Sequence, residues 1–367
     1  MRVSVKNVPL AGTVRAIPSK SATHRALILQ RLAGGSVKNP LKCADTDATL
    51  RCLGAFEQNG VMDAGESATT LRLMLPVAIA RYGSAVFRAD NSLMRRPLDA
   101  FVSLGISITR DGPYIRASGR LKRGDYTVDS GVSSQFASGL MLALAYLGGG
   151  SVTLSGEPKS MPYIAMSVDM LRRFGVQVEA SGNRYDIRGS LAPANVTVEG
   201  DWSHAANFFA ANALGGSVRV EGLDTDTLQG DSAIAELLER HGGADVSDTP
   251  DLLPCLMAAA CGRASASVFT GTRRLKHKES DRPRAMADVI NALGGKAAVT
   301  DECVTVEGTG RLAGGVILAG DHRIAMAAAI AAAVADSPVI IEGAQCTDKS
   351  APDFWRDIRS LGGLMDG

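Results

Sequence analysis

Six segments concentrate the groups able to do anion or acid–base chemistry. They are Ser19-Lys20-Ser21-Ala22-Thr23-His24-Arg25, Gly65-Glu66-Ser67-Ala68-Thr69-Thr70-Leu71-Arg72 and Val132-Ser133-Ser134-Gln135, then Asp201-Trp202-Ser203-His204, Asp248-Thr249-Pro250-Asp251 and Gly320-Asp321-His322-Arg323. Each carries Ser, Thr or Asp ahead of an apolar stretch, the residue types that cap helix N-termini. Four of them add Lys, Arg or Gln within the first two turns. A cation there is unfavourable by roughly 0.3–1 kcal/mol. Repeating that cost points to a bound anion that offsets it, held by free N–H groups, hydroxyls and basic side chains. Three further segments read as charged surface when taken singly. They are Met94-Arg95-Arg96-Pro97, Leu275-Lys276-His277-Lys278-Glu279-Ser280-Asp281-Arg282 and Cys346-Thr347-Asp348-Lys349-Ser350. They gain meaning only beside the first six.

The elements that must position these groups repeat. Stretches such as Phe136–Leu147, Ala205–Leu214, Leu252–Cys261 and Ile324–Ala335 are apolar nearly all round, which predicts helices buried on every side. Each runs into a short β-branched strand, beginning near Ser36, Ser84, Ser151, Ser217, Ser267 and Ser337. A second kind of helix alternates with the first and ends at Gly60, Gly105, Gly175, Gly242, Gly294 and Gly362, where a left-handed turn is expected. Six such units of about 60 residues fill the chain. A solenoid would leave one face of each apolar helix wet, so the pattern predicts two clusters of three units. The fold class is α/β of the α+β type, with the boundary in the loop before residue 200.

Bulk properties narrow the function. The 367 residues carry 39 Lys and Arg against 38 Asp and Glu, a formal net charge of +1. That balance argues against a general nucleic-acid binder or a basic membrane-surface protein. With 46% hydrophobic residues the chain is not disordered, and 5% aromatics leave little for base stacking. The six cysteines form no CxxC pair and no Cys/His zinc spacing, so no metal is expected and reduced, cytoplasmic thiols are. The strand-like start predicts no signal peptide. The longest apolar run, Ile324–Ala335, is too short to span a membrane.

Taken together, the motifs resemble the 5-enolpyruvylshikimate-3-phosphate synthase family of enolpyruvyl transferases. The resemblance rests on Pro18-Ser19-Lys20-Ser21…Arg25, Thr69…Arg72, Arg96-Pro97, Ser133-Ser134-Gln135-Phe136 and Ser160-Met161-Pro162-Tyr163. It continues through Pro250-Asp251, Lys278-Glu279-Ser280-Asp281-Arg282, Asp321-His322-Arg323 and Lys349 before Pro352-Asp353. It implies an inside-out α/β barrel architecture in two domains. Residues 17–200 would bind the shikimate phosphate. Residues 1–16 with 201–367 would carry the catalytic carboxylates and part of the phosphoenolpyruvate clamp. The implied reaction joins phosphoenolpyruvate to the 5-hydroxyl of shikimate 3-phosphate and releases phosphate, by addition and then elimination, without a cofactor or metal. The implied enzyme is a cytoplasmic monomer that closes on its ligands.

Residue roles follow from the same resemblance. Ser133, Ser134, Ser160 and Lys278 match the shikimate phosphate site, and Ser21, Arg25, Gln135, Tyr163 and Arg274 its surroundings. Lys20, Ala68, Thr69, Arg96, Gln135, Arg282, Arg323 and Lys349 match the phosphoenolpyruvate site. Asp251, which also touches shikimate 3-phosphate in the family, is the implied base. Glu279 and Lys349 are the implied proton donors, with Lys20 also catalytic. The eight cations Lys20, Arg25, Arg72, Arg96, Lys278, Arg282, Arg323 and Lys349 against Asp251 and Glu279 would make a pocket that repels itself when empty. Several positions depart from the family pattern. Pro18 abuts Ser19 without the usual glycine, Arg274 and Glu66 stand where asparagine is common, and the chain is short. Ala68 replaces a glycine found in glyphosate-sensitive members, which implies weak inhibition. Three readings remain beside this one: the related UDP-N-acetylglucosamine transferase, an RNA 3′-phosphate cyclase, and a binding-only relative. The last would be expected to lose Asp251 or Glu279.

Overall fold

A computed structural model describes residues 1–365. The chain forms two compact units, Met1–Ile17 with Gly200–Gly367, and Pro18–Glu199. Each has its own apolar core.

In the unit of residues 18–199 the core is built on the helices Lys20–Ala33, Ala68–Tyr82 and Gln135–Tyr146. Ten consecutive residues of the last, Phe136–Ala145, are buried, as its all-round apolar pattern requires. Gly139 explains its closest approach. A Cβ there would lie 2.2 Å from the carbonyl oxygen of Arg72, so only glycine lets the Gln135 helix pack against the Ala68 helix at this point. More polar helices, Ala44–Glu57 and Met161–Arg173, cover the core.

The sheets repeat one plan. Met62–Gly65 and Ser84–Ala89 flank the Ala68 helix and pair in parallel; Tyr114–Ser118 and Ser107–Asp111 then add as an antiparallel hairpin. Asp125–Asp129 and Gly149–Ser155 flank the Gln135 helix in the same way, followed by Arg184–Arg188 and Gln177–Ser181. In the other unit, Gly243–Asp245 and Ser267–Thr270 flank the helix Leu253–Cys261, with Cys303–Glu307 and Lys296–Val299 as the hairpin. Gly315–Leu318 and Val339–Glu342 flank His322–Ala331, and Arg2–Val5 adds antiparallel.

The remaining two inner helices, Lys20–Ala33 and Trp202–Ala213, break the plan informatively. The strand before the first, Ala11–Arg15, pairs with Ser217–Glu221, the strand after the second. The strand before the second, Ala194–Thr197, pairs with Gly35–Lys38, the strand after the first. The two units have exchanged equivalent strands, and this exchange makes the chain pass twice between them. Backbone bonds join the two chain segments within each unit: Ser19 N–H to the Glu199 carbonyl at 2.8 Å in residues 18–199, and Asp201 N–H to the Ile17 carbonyl at 2.7 Å in the other unit.

The outer helices end as the glycine pattern predicts at Gly105, Gly175, Gly294 and Gly362, all at positive φ. At the other two sites the left-handed residue is a neighbour: Asn59 at φ 50° in place of Gly60, and Gly243 in place of Gly242. Asparagine tolerates this region better than most residues. Among the described residues no helix is long and apolar enough to cross a membrane.

Candidate active site

In the unit of residues 18–199, polar groups gather at the starts of the inner helices. Ser19 and Ser67 cap them, accepting the N–H groups of Ala22 and Thr70. Ala68 is the buried first residue of its helix. Lys20 Nζ lies 2.8 Å from Asp45 Oδ2, and both side chains are largely buried. Asp45 has no place in the sequence motifs. Thr69, Gln135 and Arg72 form a chain across two helix starts: Gln135 Nε2 donates to Thr69 Oγ1 at 2.8 Å, and Arg72 Nη1 donates to Gln135 Oε1 at 3.1 Å. Arg72 also donates to the Pro97 carbonyl and stacks 4.7 Å from the Phe136 ring centroid, which holds the segment carrying the buried Arg96.

Arg25 is almost wholly buried. It donates to Ser167 Oγ at 2.7 Å and to the carbonyls of Ser21 and Tyr163 at 2.8 and 2.9 Å. Burial lowers its guanidinium to about 10, with Tyr163 opposing. Those bonds fix the Tyr163 segment, which begins at Ser160 in the left-handed region at φ 57°. Ser134 is buried, and Ser133 Oγ accepts the Gln135 N–H.

The other unit holds a denser cluster. Arg282 follows Asp281, which caps the helix Arg282–Ala292. Its side chain is 2% exposed and meets three carboxylates: Asp251 Oδ1 at 2.6 Å, Glu279 Oε2 at 2.7 Å and Asp321 Oδ2 at 2.9 Å. Burial works against the Arg282 charge, but Asp321, Glu279 and Asp251 outweigh it and raise its affinity for the proton. Asp251 comes from the turn Pro250–Leu252 that opens the Leu253 helix. It also meets Arg323 Nη2 at 3.0 Å and Lys278 Nζ at 3.4 Å. Burial pushes the Asp251 carboxyl up, yet Arg323, Lys278 and Arg282 prevail and hold it well below the usual carboxylate range. Burial lowers Lys278 to about 8, with Asp251 opposing and Arg274 among the groups that add to the fall. Arg274 itself donates to the Ser247 carbonyl.

Arg323 is placed by the start of its helix. Asp321 Oδ1 caps by accepting the Arg323 N–H at 2.9 Å, while its other oxygen serves Arg282 and Ser280. Arg323 Nη2 donates to Ser203 Oγ at 2.5 Å. Lys349 ends the turn Ala344–Lys349, which packs on the same helix.

The structure therefore joins Asp251, Lys278, Glu279, Arg282 and Arg323 in one cluster, and Thr69, Arg72 and Gln135 in another. It adds partners to which the motif reading gave no role: Asp45, Ser167, Ser203 and Asp321. For Asp321 and Ser203 the signal was present, since both stand in segments singled out as helix starts. Among the described residues, no group of three His, Cys, Asp or Glu side chains could hold a metal ion.

A family model for EPSP synthase, 3-phosphoshikimate 1-carboxyvinyltransferase, matches residues 5–60, 51–248 and 238–358. A 3-phosphoshikimate 1-carboxyvinyltransferase from Clostridium kluyveri is 34% identical, with 99% of this chain and 98% of that protein covered. Its alignment runs to 417 residues against 367 here, so the relative carries segments this chain lacks. A namesake from Aeropyrum pernix is 35% identical over 100% of this chain and 96% of its own. In fold, the chain is similar to an EPSP synthase from Acinetobacter baumannii with a TM-score of 0.79 at 24% identity, covering 99% and 98% of the two chains. Full-length identity above 30% and a family model matched along nearly all of the chain lead to one conclusion: this protein belongs to the EPSP synthase family of enolpyruvyl transferases.

Proposed function

We propose that the protein transfers the enolpyruvyl group of phosphoenolpyruvate to the 5-hydroxyl of shikimate 3-phosphate. In the addition step the hydroxyl oxygen bonds to C2 of phosphoenolpyruvate, its proton leaves to a base, and the methylene carbon gains a proton. In the elimination step a proton leaves that carbon, the C2–O bond to phosphate breaks, and phosphate departs. The observation that carries the reading is the buried Arg282 held by Asp251, Glu279 and Asp321, beside Lys278 and Arg323. In support of the reading, Asp251 and Glu279 share one buried cation within a cluster able to take anionic ligands.

In this reading Asp251 takes the hydroxyl proton, and Glu279 and Lys349 serve the methylene carbon. Lys20 assists. Ser133, Ser134, Ser160 and Lys278 hold the shikimate phosphate, with Ser21, Arg25, Gln135, Tyr163 and Arg274 around it. Lys20, Thr69, Arg96, Arg282, Arg323 and Lys349 hold phosphoenolpyruvate, with Gln135 and Ala68 beside it. The depressed Asp251 is a weak base while three cations face it. Anionic substrates that draw Arg323 and Lys278 toward themselves would raise its basicity, so the base strengthens when substrate is present. The same reading makes the enzyme a cytoplasmic monomer with small-molecule partners only.

The test is phosphate release from phosphoenolpyruvate with shikimate 3-phosphate, run beside UDP-N-acetylglucosamine. Release with shikimate 3-phosphate alone supports the reading. Release only with the nucleotide sugar, or an unimpaired Glu279→Gln variant, refutes it.

A further inference from the structure

Asp231 lies in the short turn Gly230–Ala233 and is 3% exposed. The turn is fastened to the start of the Trp202 helix by the residue before it. Gln229 Oε1 accepts the Trp202 N–H at 3.1 Å, and its Nε2 donates to the Gly200 carbonyl at 2.7 Å. This sets Asp231 near Ser203, the second residue of that helix, whose hydroxyl is among the groups that favour the Asp231 charge. Ser203 Oγ also accepts from Arg323 Nη2 at 2.5 Å. A serine hydroxyl has one proton. With Arg323 donating to its oxygen, that proton is free to go to the Asp231 carboxylate. Arg323 in turn reaches Asp251 at 3.0 Å. A relay thus runs Asp231, Ser203, Arg323, Asp251, wholly within residues 200–365.

We propose that Asp231 is a positioning residue for Arg323: its carboxylate orients the Ser203 hydroxyl so that the serine oxygen faces the guanidinium and fixes it toward phosphoenolpyruvate. The inference rests on the reading of Arg323 as part of the phosphoenolpyruvate clamp. A carboxyl is a poor structural choice at this place. Burial, with Asp251 and Asp201 adding repulsion, raises it to about 7, against the pull of Arg323 and the Ser203 hydrogen bond. A neutral side chain would fill the space at lower cost, so an ionisable carboxyl there points to a use beyond packing.

Steady-state kinetics of Asp231→Ala, Asp231→Asn, Ser203→Ala and the Asp231→Ala/Ser203→Ala pair test this, with Arg323→Lys as reference. Losing one relayed hydrogen bond should raise KM for phosphoenolpyruvate about tenfold in Asp231→Ala, leaving KM for shikimate 3-phosphate within about twofold. Asparagine keeps an acceptor oxygen, so Asp231→Asn should recover part of the loss. The pair should be no worse than Ser203→Ala alone, because both substitutions cut one relay. A structural role would instead lower the melting temperature and the active fraction without separating the two KM values. The proposal is overturned if Arg323→Lys raises KM for phosphoenolpyruvate and folded Asp231 variants do not, or if the pair is additive. Should Asp231→Ala fail to fold, Asp231→Asn and Ser203→Ala carry the same comparison. If Arg323→Lys leaves that KM unchanged, the clamp reading fails instead.

Discussion

Replacing Arg282 by methionine tests the electrostatic core of the site. Methionine fills much of the volume of arginine without its charge. The substitution leaves Asp251, Glu279 and Asp321, each now within 3 Å of the lost guanidinium, facing one another. Breaking a buried ion pair by deleting one partner costs about 3–5 kcal/mol. For a cooperative unit of this size that is a fall in melting temperature of roughly 6–20 °C. The assay is selective because both tryptophans, Trp202 and Trp355, lie in the same unit as Arg282. Tryptophan fluorescence on heating should show the shift, while the part of the circular-dichroism signal from residues 18–199 should keep its midpoint. The sign with pH follows from the carboxylates. Without Arg282 their folded pKa values rise, so the variant takes up protons as pH falls and its deficit should be smaller at pH 5 than at pH 8. A deficit under about 1 kcal/mol, or one that does not change with pH, would refute the reasoning.

Three more outcomes follow from the geometry. Burial holds Lys278 near 8, so kcat/KM for shikimate 3-phosphate should decline above about pH 8 as its charge is lost. Lys278→Arg stays protonated and should move that decline upward; an unmoved limb would exclude Lys278 as its source. His204 is buried between Phe208 and Phe354, and burial lowers it to about 4. Its unfolded form binds protons from about pH 6.5 down, so stability present above that pH is lost as pH falls toward 4, up to about 3 kcal/mol. His204→Phe should remove this part of the acid sensitivity in urea titrations at pH 5 and 7.5; equal changes at both would contradict it. Ala68→Gly should make glyphosate a markedly stronger inhibitor, and an unchanged inhibition constant would remove Ala68 from the determinants of that affinity.

What could be read in the sequence was local. Ser19, Ser67, Asp201 and Asp321 cap as their types suggest, because a cap joins residues two or three apart. The inner helices were legible because burial on all sides demands apolar residues all round. The pairing of the exchanged strands was not, and only the family resemblance implied that residues 1–16 go with residues 201–367. Ala11–Arg15 pairs with Ser217–Glu221 some two hundred positions away, and a parallel pair needs no tight turn to announce it. Asp231 and Asp45 were invisible for a related reason. Each is a single acid on an outer element, and its meaning depends on which cation the fold brings beside it.

Those hidden acids change how the site must work. Counting only motif residues gave eight cations against two carboxylates and predicted a pocket that repels itself when empty. In the structure Asp45 meets Lys20, Asp321 meets Arg282, and Asp231 faces Arg323 through Ser203. In residues 200–365 the motif cations Lys278, Arg282, Arg323 and Lys349 face the carboxylates Asp251, Glu279 and Asp321, and also Asp231, which burial raises to about 7 and so leaves partly charged near neutral pH. Self-repulsion is therefore largely cancelled before any ligand arrives. A phosphate or carboxylate entering such a cluster does not neutralise bare charge; it competes with carboxylates already in place. The net gain on binding is smaller than the cation count suggests. On the proposed reading of Asp251 as the base, a cation drawn away from it leaves a stronger base. Arg282, gripped by three carboxylates, is the least able to move, whereas Arg323 and Lys278 have fewer acidic partners among these contacts. The exchange should fall on those two, and the rigid Arg282 should keep Asp251 and Glu279 in register while it happens.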